Sequence, residues 1–114
     1  METNETYDQA VAEILEREDL EMQKIAVALL IDNPELLLNK IRLILTVRKI
    51  CELSDELENV TLIQLKDSIN AVVEVFDLFG CVIVENDRRV FVDDEIRGHI
   101  QTQARWMSET LRQL

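Results

Sequence analysis

The sequence predicts a mainly α protein of four to five helices with one β-hairpin. Three observations carry that expectation. Only two Gly and one Pro occur in 114 residues, so tight turns are few and helices long. Apolar residues recur at helical spacing over most of the chain. One stretch alone, "GCVIVENDRRVFVDD" from Gly80 to Asp94, sets two short β-branched runs on either side of Asn86-Asp87. Apolar residues make up 47%, enough for a core, and the length fits a single domain over 1–114.

The first helix is expected at 7–31. Thr6 and Gln9 have the spacing of a capping box, and Tyr7, Val11, Ile14, Leu15, Met22, Ile25 and Leu29 follow at helical intervals. The polar patch "EREDLE" is a place for a kink, with Asp19 able to start a second segment. "DNPEL" is a boundary. Asn33 can cap, and Pro34 suits a first helical position, where its missing N–H costs nothing.

The second helix is expected at 34–53. Its apolar residues cover most of the circumference, which predicts a central position. Lys40 and Arg48 fall inside that apolar arc and must reach the surface along their stems or pair with an acid. "SDELEN" reads as a connector or a single helical turn. Thr61 and Gln64 form a second capping box, and a helix at 62–79 ends at Gly80, a C-terminal cap. Its outward residues are expected to be Lys66, Asp67, Ser68, Asn70, Glu74 and Asp77.

In the hairpin, Asn86-Asp87 suits a type I′ turn. That register pairs Glu85 with Arg88, Ile83 with Val90 and Cys81 with Val92 on one face. Val84 with Arg89 and Val82 with Phe91 share the other. Asp93 or Asp94 caps a last helix at 95–114, with Ile96, Ile100, Gln103, Met107, Leu111 and Leu114 in its apolar stripe. Gly98 weakens that helix by about 1 kcal/mol relative to Ala.

The formal charge is −11, from 23 acidic and 12 basic residues. It is segregated: residues 1–33 hold nine acids and two bases, and the rest is close to neutral. A nucleic-acid binder is usually basic, because phosphate neutralisation supplies most of the affinity. The acidic helix points instead to a partner with a basic surface, docking on Glu13, Glu16, Glu18, Asp19 and Glu21. An acidic mimic of nucleic acid is a related reading.

The residue inventory excludes several chemistries. His99 is the single histidine, so a multi-His zinc site lacks its ligands. There is no Gly-rich phosphate loop and no nucleophile elbow. Asp93-Asp94-Glu95 reads as a helix cap with favourable dipole charges before it reads as a cation site. No catalytic residue, metal or cofactor is expected, and the protein is expected to be no enzyme. Cys51 and Cys81 have no metal-like spacing and suggest reduced, protected thiols. No apolar run approaches the roughly 18 residues of a membrane span, and the N-terminus lacks the basic and apolar segments of a signal peptide. A cytoplasmic protein without membrane contact is the expectation.

The order of helix, helix, turn, helix, hairpin, helix resembles winged helix-turn-helix proteins, above all small dimeric regulators. "VVEVFDLFGCVIVENDRRVFVDDEI" carries the resemblance, over roughly residues 50–95. It implies a winged-helix-like scaffold and a wing that reaches nucleic acid through Arg88 and Arg89. The third helix departs from the pattern, because one Lys against three acids suits DNA recognition poorly. A regulatory or adaptor protein acting through protein contacts is the first expectation, and a DNA-binding regulator the alternative. The apolar hairpin faces and the last helix predict a homodimer through Val82, Val84, Phe91, Ile100, Trp106, Met107, Leu111 and Leu114.

Overall fold

The computed structural model describes the backbone of residues 2–54 and 60–114, and the side chains of 9–54 and 60–114. Among these residues the chain is mainly helical. In order it forms α1 (Glu2–Glu16), α2 (Leu20–Asp32), a 3-10 helix (Pro34–Leu38), α3 (Lys40–Glu52), α4 (Leu62–Leu78), β1 (Val82–Glu85), β2 (Arg88–Phe91) and α5 (Ile96–Gln113). The buried apolar side chains form one cluster.

The predicted first helix is two helices, broken where "EREDLE" lies. The Asp19 carboxylate accepts from the Glu21 and Met22 amides at 2.9 and 3.2 Å, so it starts α2. The break leaves the last carbonyls of α1 without helical partners. Gln23 reaches back and its amide donates to the Leu15 carbonyl oxygen at 2.7 Å, inside the core. α1 begins at Glu2, so the backbone at Thr6 is already helical; its predicted capping box involves side chains outside the described ones.

The predicted second helix also starts differently. Pro34–Leu38 is 3-10, and Asn33 makes no side-chain cap bond. Asn39 is the cap instead: its side-chain oxygen accepts from the Arg42 amide at 3.1 Å and opens α3. The expected central position belongs to α2, which packs against α5, α4, α3 and α1. α3 buries only Leu43, Val47 and Cys51. An all-round apolar helix reads as central only if neighbours surround it, and here Ile41 and Leu45 are left exposed.

α4 keeps its capping box, with the Gln64 amide donating to Thr61 Oγ1 at 3.1 Å and the Thr61 amide donating to Gln64 Oε1 at 3.0 Å. Gly80 follows with φ +72°, a conformation an L side chain rarely adopts. Ser68, expected outward, is buried, and its hydroxyl donates to the Gln64 carbonyl oxygen at 2.7 Å. "SDELEN" lies, from residue 55 on, outside the described residues.

The hairpin has the predicted register: Val82 pairs with Phe91, Ile83 with Val90, Val84 with Arg89 and Glu85 with Arg88. Asn86 and Asp87 both take positive φ, 52° and 63°, as a type I′ turn demands. Before α5, Asp93 accepts from the Glu95 amide at 2.9 Å, while the cap position itself falls on Glu95 and carries no side-chain cap bond. α5 lays Ile100, Ala104, Met107 and Leu111 against the core, chiefly on α2. Its Gln101 amide donates to the Ile31 carbonyl oxygen at 2.9 Å, at the C-terminal end of α2.

Candidate functional site

The hairpin was the first candidate, and its two arginines part company. Arg88 is exposed at the tip. Arg89 is turned inward. Its Nη2 donates to Asp77 Oδ1 at 2.9 Å, its Nη1 to Asp77 Oδ2 at 3.4 Å, and its Nε to the Leu37 carbonyl oxygen at 3.3 Å. One guanidinium thus ties β2 to α4 and to the 3-10 helix. Arg97 works beside it, 3.5 Å from Glu35 and stacked over the Phe91 ring at 5.6 Å. Arg89 is spent on structure and leaves Arg88 as the one free arginine of the expected pair.

The acidic face is also partly spent. Asp19 caps α2, and Glu21 pairs with Lys24 at 3.1 Å. Glu13 and Glu16 stand exposed. Glu18 lines a shallow depression with Ile14, Arg17, Asp67, Asn70, Ala71 and Glu74, where three carboxylates surround one arginine.

The expected dimer residues divide likewise. Ile100, Met107 and Leu111 are fully buried within the chain's own core and present nothing to a second copy. Val82, Phe91 and Trp106 are half-buried, with Trp106 edge-on to Phe79 at 6.3 Å between ring centres. Val84 and Leu114 remain open, and Ile83 and Val92 join them as exposed apolar side chains.

A second surface, made by α3 and the start of α4, holds the larger apolar exposure. Ile41 is 72% exposed, Leu45 55%, Leu62 52% and Ile63 73%. Ile41, Leu45, Arg48 and Glu52 recur at helical spacing and so share one flank of α3. That flank borders a cavity of about 250 Å³ lined by Arg48, Cys51, Glu52, Val60, Thr61, Leu62 and Leu65. Arg48 satisfies the need for an acid by pairing with Glu52 at 3.3 Å. Cys51 lies at the cavity wall. Burial pushes its thiol pKa up, and the Asp19 carboxylate adds to the effect. The charge of α3 is opposite to that of the chain as a whole: Lys40, Arg42, Arg48 and Lys49 stand exposed against one acid, Glu52. The apolar circumference read for the second helix took in Ile41 and Leu45, because periodicity shows which sides of a helix are apolar and not which sides have a neighbour.

Among the described residues no cluster of three His, Cys, Asp or Glu side chains could hold a metal ion, and no helix is long and apolar enough to cross a membrane. No family model matches the chain, and no curated protein or solved structure is significantly similar to it.

Proposed function

We propose that this protein is a non-enzymatic regulator or adaptor that works by protein–protein contact on a winged-helix-like, dimeric scaffold. The observation that carries the reading is the apolar exposure of α3 and the start of α4, with Ile41 and Leu45 open along one flank of α3, Leu62 at the α3–α4 cavity and Ile63 next to it in the chain. Apolar side chains gathered on one surface mark an interaction site. The winged-helix part rests on the order α3, α4, hairpin, α5. The turn to protein contacts is supported by α4, whose outward side chains include Lys66 against Asp67, Glu74 and Asp77. Such a helix repels phosphates. The dimer part rests on the open hairpin residues Ile83 and Val84 and on Leu114, which a two-fold axis could cover.

DNA binding is the second reading, favoured by the exposed bases Lys40, Arg42, Lys49 and Arg88. A titration with random duplex DNA separates the two. At about 0.15 M salt a protein of charge −11 is expected to show no submicromolar binding. Submicromolar binding that weakens steeply with salt would move the protein to the second reading. Light scattering tests the dimer: a mass near 27 kDa is expected, twice the 13.3 kDa of the chain, and a concentration-independent single-chain mass removes that part of the proposal.

A further inference from the structure

We infer that the bend between α1 and α2 is a hinge that straightens, and that α1 then docks on α4 of a second copy of this chain. The inference deepens the dimer part of the reading above. The residues at the bend suit either shape. Arg17, Glu18 and Asp19 separate the two helices, and none of them is Gly or Pro. From Leu15 to Met22 the spacing is seven residues, about two helical turns. Val11, Leu15, Met22, Ala26 and Leu29 therefore fall on one stripe of a straight helix.

Two side chains hold the bend. The Asp19 carboxylate caps α2, and the Gln23 amide donates to the Leu15 carbonyl oxygen at 2.7 Å. Gln23 is fully buried, and among the described residues no donor reaches its Oε1. The bent form thus carries a buried acceptor without a partner, which is unfavourable. In a straight helix the Leu15 carbonyl accepts from the Asp19 amide four residues on, and neither side chain is needed.

Burial selects the second copy as the occupant. Val11, Ile14 and Leu15 are 0%, 6% and 0% exposed, and α1 packs chiefly on α4. Straightening lifts α1 from α4 of its own chain, because α2 is held in place by α5 and α4. The seam it leaves has Glu18, Asp67 and Glu74 around Arg17, so like charge loosens it. In a lone chain the move opens apolar residues on both sides of the seam. Reciprocal exchange between two copies returns each α1 to an α4 surface of the same kind, and only the hinge changes. A short hinge without slack favours such an exchange.

The test uses the full chain with Ile14→Cys and Asn70→Cys, two positions that line one depression between α1 and α4, and with Cys51→Ala and Cys81→Ala. Protein held at high concentration is separated by size. Each pool is treated with a short bismaleimide and run on a denaturing gel. The double-mass pool is expected to give pairs of joined chains, and the single-mass pool single chains alone. Asp19→Ala with Gln23→Leu removes both holds on the bend and should raise the double-mass share roughly tenfold. Leu20→Pro should abolish it. Asp19 has φ −64° and ψ 118°, the extended shape that a following proline demands, and Leu20 is the first residue of α2, where proline is tolerated. In a straight helix the same proline is interior and breaks it. Circular dichroism checks that Leu20→Pro folds; if it does not, the crosslinks in the chain with the native hinge decide alone. A double-mass pool whose crosslinks stay within single chains overturns the inference and leaves a hairpin dimer standing. Double mass that persists in folded Leu20→Pro does the same. A single mass at every concentration, with Asp19→Ala and Gln23→Leu included, ends both this inference and the dimer part of the reading.

Discussion

Arg89 donates to the Leu37 carbonyl oxygen and to both oxygens of Asp77, so one side chain joins three elements. Arg89→Ala is expected to lower stability by about 1–3 kcal/mol in urea unfolding, because a partly buried carbonyl and a carboxylate lose their donor together. Arg89→Lys should recover only part of it, since an ammonium cannot reproduce the fork. Arg88→Ala, at the exposed tip, should stay within about 0.5 kcal/mol of wild type. Equal losses from the two alanine variants would contradict this division of roles. The two thiols make a second prediction. Burial pushes both pKa values up, with Asp19 adding at Cys51 and Asp77 at Cys81. A thiol whose pKa is higher folded than unfolded holds its proton longer in the native state. Its contribution is therefore whole below the unfolded pKa and is lost as pH rises past about 8.5. Unfolding midpoints should fall through that alkaline range, and Cys51→Ala with Cys81→Ala should flatten the fall. Alkylation at neutral pH should be slow until the chain unfolds.

The helices and the hairpin obey rules written in adjacent residues. Thr61 with Gln64 and Asn86 with Asp87 were legible from the sequence because a cap or a turn is decided within four residues. The same local chemistry sets their cost. Asn39→Ala removes the cap of α3 and should cost about 1 kcal/mol. Asp87→Gly relieves a left-handed residue and should gain about 0.5 kcal/mol. Thermal melts of these two variants should move in opposite directions, and a stabilising Asn39→Ala would show that the 3-10 helix and α3 are not held apart by this cap. Cover, in contrast, was not legible. Ile41 and Leu45 look like core in the sequence, and nothing local says that no neighbour arrives. Arg89 looks like a free wing residue, because its acceptor Leu37 lies 52 positions away. The α3–α4 surface was missed for the first reason and the hairpin misread for the second.

For the molecule as a whole, α2 is the hub and α5 its largest cover. Met107 and Leu111 were expected at an interface between copies, and they lie in the core of one chain. Met107→Asp with Leu111→Asp should therefore unfold the protein, at a cost above about 4 kcal/mol, and give no soluble monomer. A folded, cooperative melt from that double variant would return α5 to the role of an interface helix. Residues on the outer hairpin behave differently. Val84→Lys places a charge where the side chain is already 69% exposed, so it should leave the melt unchanged and act only on chain mass.

The hydrogen bond from Gln101 to Ile31 spans 70 positions, and the hub is closed only by the helix that contains Gln101. A ribosome adds roughly 5–20 residues per second, so α2 is made roughly 4–14 s before its cover. During that interval its apolar side must be held by transient contacts or by a chaperone. Slower decoding of the stretch before α5 would lengthen the exposure and lower the yield of native protein, with no change in the sequence of the product.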